Sequence, residues 1–223
     1  MYFVFDTETS GLPRGRQPNF RDDDAYATCR IVSIAWQILS PTFEVMEEEY
    51  FLIKPINFTI PQDAINIHGI TNEYAQEHGH EFATKIEIIW EALQKCTHLV
   101  GHNISFDFGV LLHELSMHRS HSMGKASINK LFEMQRVCTM LTGKRYIKMK
   151  KFPKLIELHA HLFDGAQLEG AHNAQVDTNC CVKCFKYMME KPLTAAAVVV
   201  AAAAVDEPAP VPVATSECET QII

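Results

Sequence analysis

Asp6 and Glu8 stand two residues apart, directly after the apolar run Tyr2-Phe3-Val4-Phe5. In extended chain, residues i and i+2 point to the same face, so both carboxylates can converge on one cation. The same spacing recurs at Asp22/Asp24, Glu47/Glu49 and Glu217/Glu219, but only Asp6/Glu8 directly follows an unbroken apolar run. That context predicts a carboxylate pair at the end of a buried strand.

Another acid follows a second apolar strand end, in Leu99-Val100-Gly101-His102-Asn103-Ile104-Ser105-Phe106-Asp107. A Gly-His-Asn turn leading into a helix puts Asp107 in the first helical turn, where the helix dipole also favours an acid. The third element is Ala171-His172-Asn173-Ala174-Gln175-Val176-Asp177. On one ideal helix, His172 and Asp177 would lie ~140° apart and could not share a face. If Asn173 caps the helix instead, Asp177 falls in its first turns and His172 on the preceding loop. The pair could then approach one site from two directions.

The elements that must position these groups are legible as patterns. Tyr2–Phe5 reads as a buried central strand, Ile31–Leu39 and Glu49–Ile53 as two more, His98–Gly101 as a short fourth and Val137–Leu141 as a fifth. Phe82, Ile86, Ile89 and Leu93 recur at helical spacing and predict a helix over 82–95; Phe108, Leu111, Leu112 and Leu115 predict one over roughly 104–117. Leu155, Leu158 and Leu162 mark a further helix, and 174–190 another. Three early strands followed by alternating helices and strands indicate an α/β layered domain with a mixed sheet.

Taken together, the chemistry-bearing segments resemble the DEDD-type 3′→5′ exonucleases of the ribonuclease H-like fold, in the His-containing subclass. The resemblance rests on Phe5-Asp6-Thr7-Glu8-Thr9-Ser10-Gly11-Leu12, on Asn103-Ile104-Ser105-Phe106-Asp107, and on His172 through Asp177. Ile60-Pro61, Ile67-His68-Gly69-Ile70-Thr71 and Val137-Cys138-Thr139-Met140 also resemble the family, in the right order, over about residues 1–190. The sister subclass carries a Tyr four residues before the last Asp; here that position is Asn173. The stretch Pro13–Cys29, rich in Arg and Asp, looks like a longer first loop than the smallest members have and bears on the shape of the substrate entrance.

The resemblance implies a ribonuclease H-like mixed five-stranded sheet flanked by helices. It implies a metal-dependent 3′→5′ exonuclease that releases nucleoside 5′-monophosphates from single-stranded DNA or RNA by two-metal-ion hydrolysis. Mg²⁺ takes oxygen ligands and binds through carboxylates plus substrate phosphate, and Mn²⁺ is the expected substitute. Asp6, Glu8 and Asp177 are assigned to the ion that activates water, with Asp6 bridging to a second ion and Asp107 nearby. His172 is assigned as general base, since imidazole titrates near neutrality. Glu8 and Thr9 are expected to hold the terminal nucleotide, Leu12 to pack on its base, and His102 to lie near phosphate. The alternatives are a catalytically silent nucleic-acid-binding module and a proofreading or interaction subunit of a polymerase complex.

Composition constrains the rest. The chain has 223 residues, 47% hydrophobic and 21% charged, as ordinary globular proteins do. The segment from Pro192 on is mostly Ala, Val and Pro, without an aromatic residue or a periodic apolar face. This divides the chain into an exonuclease domain over 1–190 and a disordered low-complexity tail over 191–223, through which a polymerase or other protein partner could dock. No run reaches the roughly 18 apolar residues of a membrane span, and the N-terminus has no basic leader. An odd count of seven scattered cysteines argues for reduced thiols. Together these predict an intracellular protein, in cytoplasm or nucleus, with no membrane partner.

The net charge of −7 would argue against nucleic acid, but residues 1–191 hold 23 acids and 20 bases, a net −3. Lys144, Arg145, Lys148, Lys150, Lys151 and Lys154 also put six bases and no acid into eleven residues. That run is either a solvated face or a surface that tracks a single-stranded backbone, with Tyr146 and Phe152 interleaved for stacking. Cys180, Cys181 and Cys184 read as helix-face thiols, since a structural zinc site would need a second ligand pair. Trp36 and Trp90 read as core.

Overall fold

The computed structural model describes residues 1–15, 18–118 and 125–191. The expected tail beyond Lys191, and the partner docking assigned to it, lie outside the described residues. In chain order the elements are β1 (Tyr2–Thr9), α1 (Asp23–Tyr26), β2 (Ile31–Leu39), β3 (Val45–Leu52), α2 (Gln62–His68), α3 (Asn72–His78), a 3₁₀ turn (Phe82–Thr84), α4 (Ile86–Gln94) and β4 (His98–Gly101). They continue through α5 (Ile104–Met117), α6 (Lys125–Glu133), β5 (Gln135–Cys138), α7 (Thr139–Tyr146), α8 (Leu155–Leu162) and α9 (Ala174–Glu190).

The five strands form one mixed sheet in the order β3-β2-β1-β4-β5. β1, β2 and β3 pair antiparallel; β4 and β5 add parallel to β1. Alternation along β1 divides its side chains between two cores. Phe3 and Phe5 enter the large cluster built on Ile89 and Leu93 of α4 and Leu111 and Leu115 of α5. Val4 points the other way, into a cluster with Cys181, Val182 and Phe185 of α9. Both faces of the central strands are thus covered, which is why Tyr2–Phe5 and Ile31–Leu39 read as unbroken apolar runs.

Several boundaries differ from the sequence reading. β1 runs on to Thr9 because β2 pairs with it through Glu8↔Ser33 and Thr9↔Ile31, so Asp6 and Glu8 lie within the strand rather than after it. β3 begins at Val45, not Glu49: it is a sheet edge whose exposed Glu47, Glu48 and Glu49 carry no apolar signal. The helix expected over 82–95 is a 3₁₀ turn followed by α4. The strand expected over Val137–Leu141 stops at Cys138, where its last pairing partner is Gly101; with no strand left to pair, Thr139 starts α7. The short helices α1, α2, α3 and α6 carry too little periodicity to be read. Trp36 is buried, Trp90 packs partly buried on the same core, and Cys180, Cys181 and Cys184 are buried on α9.

Candidate active site

The alternation that sorts Phe3, Val4 and Phe5 continues beyond them. Asp6 and Glu8 share the face of β1 covered by α9, while Thr7 shares the face covered by α5. α9 is set over this point near its N-terminus, where the Thr178 hydroxyl donates to the Ala35 carbonyl at 3.2 Å. Ala35 is the cross-strand partner of Asp6, so the neighbouring Asp177 is delivered to the carboxylate pair. Ligand oxygens of Asp6, Glu8 and Asp177 lie within 4.8 Å of one another.

Asn173 caps α9, its side-chain oxygen accepting from the backbone N–H groups of Gln175 and Val176 at 3.0 and 3.2 Å. His172 therefore precedes the helix, exposed and at φ 65°. Its N–H donates to Asp177 Oδ2 at 2.9 Å. The two residues meet across a helix boundary, the arrangement that the capping alternative predicted.

Asp107 approaches from the α5 side and is 3% exposed. The path to it is tight: a Cβ on Gly101 would lie 2.9 Å from Ile104 Cδ1 and 3.3 Å from the Phe5 carbonyl oxygen. Asn103 then turns the chain into α5 at φ 66°, a left-handed conformation that Asn tolerates. Asp107 Oδ1 accepts from both the backbone N–H and the hydroxyl of Thr7, at 3.0 and 2.7 Å.

Burial, then Asp107, Glu8 and Asp177, push the Asp6 carboxyl well above the usual carboxylate range. Glu8 is pushed up to about 8 by burial and by Asp177 and Asp107. Burial raises Asp107 to about 7 against the opposing pull of the Thr7 hydrogen bonds, and raises Asp177 against its bond from His172. Buried carboxylates this close destabilise one another as ions, and a cation relieves both repulsion and desolvation. The donors are all hard oxygens, which suits Mg²⁺ or Mn²⁺ and disfavours softer metals. The residues fit a divalent hard cation, which Asp6, Glu8 and Asp177 would hold, with Asp107 packed from the α5 side of β1.

Beside Glu8 opens a cavity of about 450 Å³. Glu8, Thr9 and Leu12, three of the residues expected to hold substrate, line one wall, and Ala64, Ile67 and His68 of α2 line the other. Leu12 and Ile67 are 54% and 59% exposed, so two apolar side chains face open space. His68 Nδ1 accepts from the Ile70 N–H at 3.0 Å, which leaves the ring proton on Nε2; burial holds its pKa down. Gly69 ends α2 at φ 75° and is the reason the chain can turn there. The sequence signal for this wall is the motif Ile67-His68-Gly69-Ile70-Thr71, whose residue types alone assign it no role.

His102, expected near phosphate, has both ring nitrogens engaged by the protein. Its Nε2 donates to the Pro153 carbonyl at 3.0 Å and its Nδ1 pairs with the Thr139 hydroxyl at 3.1 Å. Burial lowers its pKa to about 4, so the ring is neutral and both nitrogens are committed to the protein. It is a strut that ties the β4–α5 turn to the segment 147–153. The Tyr146 hydroxyl donates to the Lys191 carbonyl at 2.7 Å and its partly buried ring packs with α8 and α9. Phe152 is half-exposed beneath the Lys144 ammonium, 4.2 Å from the ring centre. Lys151 pairs with Glu157 at 2.6 Å.

The family model described as Exonuclease, of the RNase T group, matches residues 3–185. No curated protein sequence matches the chain closely enough to show a relationship. Among solved structures, E. coli exonuclease I in complex with a dA16 oligonucleotide is similar at a TM-score of 0.62 and 18% identity, over 86% of this chain and 41% of that one. Exonuclease I from Methylocaldum szegediense gives a TM-score of 0.62 at 20% identity, over 86% and 40% of the two chains. Exonuclease X in complex with 5′ overhanging duplex DNA gives 0.57 at 22% identity, over 91% and 98%. The chain thus spans about two fifths of exonuclease I. At these identities the likeness establishes the fold, a ribonuclease H-like sheet flanked by helices.

Proposed function

We propose that this chain, which belongs to the exonuclease family whose model its residues 3–185 match, removes nucleotides from the free 3′ ends of single-stranded nucleic acid. The observation that carries the reading is the cluster of Asp6, Glu8 and Asp177, with ligand oxygens within 4.8 Å of one another, whose Glu8 also lines the cavity that holds Leu12 and Ile67. The DNA bound by the similar exonucleases I and X supports the substrate class.

In this reading Asp6, Glu8 and Asp177 would hold Mg²⁺, and Asp107 would serve a second ion. When bound, such a pair of ions activates a water and stabilises the leaving oxygen of an in-line displacement. His172 takes the proton of the attacking water; its place just outside α9 leaves the ring exposed and able to pass that proton to solvent. Water oxygen bonds to phosphorus as the P–O3′ bond breaks. The leaving 3′ oxygen takes a proton from solvent, so the shortened chain keeps a 3′ hydroxyl and a nucleoside 5′-monophosphate departs. Leu12 and Ile67 clasp the terminal base, with Glu8 and Thr9 beside its sugar. In this reading residues 1–190 carry the activity, since the family model matches within them, over residues 3–185.

The test is digestion of 5′-labelled single-stranded DNA and RNA with Mg²⁺, with EDTA, and with the 3′ end blocked. A ladder receding from the 3′ end, lost with EDTA and with the block, is the expected result. Equal cleavage of the 3′-blocked strand, or cleavage in EDTA, would overturn the reading. Repeating the digestion with residues 192–223 removed should leave the ladder unchanged if the first 190 residues suffice.

A further inference from the structure

We propose that Thr7 is a positioning residue whose hydroxyl holds Asp107 as a one-oxygen ligand for a divalent cation, an inference that rests on the exonuclease reading above. Thr7 is enclosed between Asp6 and Glu8 in sequence, yet its side chain lies on the other face of β1, where α5 packs. β4 pairs with β1 only over Tyr2, Phe3 and Val4, whereas β1 continues to Thr9. Beyond Phe5, the edge of β1 that faces β4 has no strand partner, and a buried N–H there must find another acceptor. Asp107 Oδ1 supplies it at 3.0 Å.

The backbone bond alone would leave the carboxylate free to swing about a single contact. The hydroxyl removes that freedom. It donates to the same oxygen at 2.7 Å, within the short range of hydrogen bonds to ionised acceptors. Thr is β-branched and stiff at χ1, so the hydroxyl is itself fixed by the strand. Two donors therefore converge on Oδ1 and neither engages Oδ2. Asp107 offers its second oxygen in one orientation, set by a residue that touches neither substrate nor metal. A Thr serving only as a β-former would be replaced by Val at little cost. A hydroxyl that orients a ligand would not, because losing such outer partners costs about 10–100-fold in metal affinity or activity.

The experiment uses the full chain with Thr7→Val, Thr7→Ser and Thr7→Ala. Mn²⁺ binding is followed by calorimetry without nucleic acid, and hydrolysis of a 5′-labelled oligonucleotide is followed in parallel. Thr7→Val should bind Mn²⁺ about 10–100-fold more weakly at one site and lose kcat while KM for the oligonucleotide holds, since the Leu12–Ile67 cavity is untouched. Thr7→Ser, which keeps the hydroxyl, should restore both. Thr7→Ala should follow Thr7→Val, and melting temperatures identify any variant whose packing has failed. Wild-type Mn²⁺ binding and kcat in folded Thr7→Val or Thr7→Ala would overturn the inference, as would a Thr7→Ser as impaired as Thr7→Val. If the variants shift Mn²⁺ binding but the wild type shortens no oligonucleotide, the exonuclease reading falls and Thr7 keeps its role.

Discussion

The backbone N–H of His172 and the Oδ2 of Asp177 are joined at 2.9 Å across the N-terminal cap of α9. The proposed proton acceptor is thereby tethered to a proposed metal ligand through its main chain, and its ring is left out of the tether. Backbone placement and ring chemistry can therefore be separated by mutation.

His172 sits at φ 65°, a conformation that Asn adopts with little penalty. His172→Asn should keep the tether and the Mg²⁺ affinity while turnover falls by roughly 10²–10⁴-fold, the range for removing a general base. Calorimetry and single-turnover hydrolysis together decide it. Mg²⁺ affinity lost as severely as in Asp177→Asn would make His172 a ligand instead.

Without a cation, Glu8 stays protonated to about pH 8, against 4.5 for its ordinary value, and Asp6 is also raised. Between those limits the folded chain holds protons that the unfolded chain has released. Stability at this cluster is therefore full below about pH 4.5 and is lost as pH rises toward 8. Cations bind the ionised carboxylates, so their stabilising effect grows over the same window. The gap in melting temperature between Mg²⁺ and EDTA should widen between about pH 4.5 and about pH 8. A gap independent of pH would place the cation elsewhere.

The basic segment divides into paired and unpaired side chains. Lys151 is engaged by Glu157 and Lys144 lies over Phe152, whereas Lys148 and Lys150 form no ion pair among the described residues. Lys148→Ala with Lys150→Ala should weaken binding of single strands irrespective of sequence and flatten the slope of log affinity against log salt by about 0.7 per lost contact. Lys151→Ala should change the slope less. An unaltered slope in the double variant would make the segment a solvated face.

Leu12 and Ile67 are apolar side chains exposed at the cavity mouth. Leu12→Ala should leave the melting temperature almost unchanged, as exposed substitutions do. KM should rise about tenfold or more, because a Leu covered by a base contributes up to ~1.5–3 kcal/mol of burial. An unchanged KM would remove the base from this cavity.

The carboxylates at 6, 8, 107 and 177 were legible because each stands where an apolar pattern stops or a helix begins. α5 and α9 were legible for a related reason: their apolar residues repeat over three or more turns. β3 was legible only at its C-terminal end, since an edge strand facing water needs no apolar alternation at Glu47–Glu49. α2 and α3 bury one residue each, Ala64 and Ala75, which leaves no period to detect. The apolar run over Val137–Leu141 hid the junction of β5 and α7, because strand and helix core positions have the same composition.

The spacing of Asp6 and Glu8 follows from the two-residue period of extended chain, and the offset of His172 from Asp177 follows from a cap whose sidedness is local. Such geometry is written in the sequence because neighbouring residues determine it. The meeting of Asp177 with Asp6 depends on α9 settling over β1 and β2 through the Thr178–Ala35 hydrogen bond and the packing of Phe185. The grip of Thr7 on Asp107 depends on β4 ending at Gly101, short of β1. The commitment of His102 to Pro153 depends on how the 147–153 segment returns to the sheet. These contacts join residues far apart in the chain, and only the packing of helices on the sheet brings them within hydrogen-bonding range.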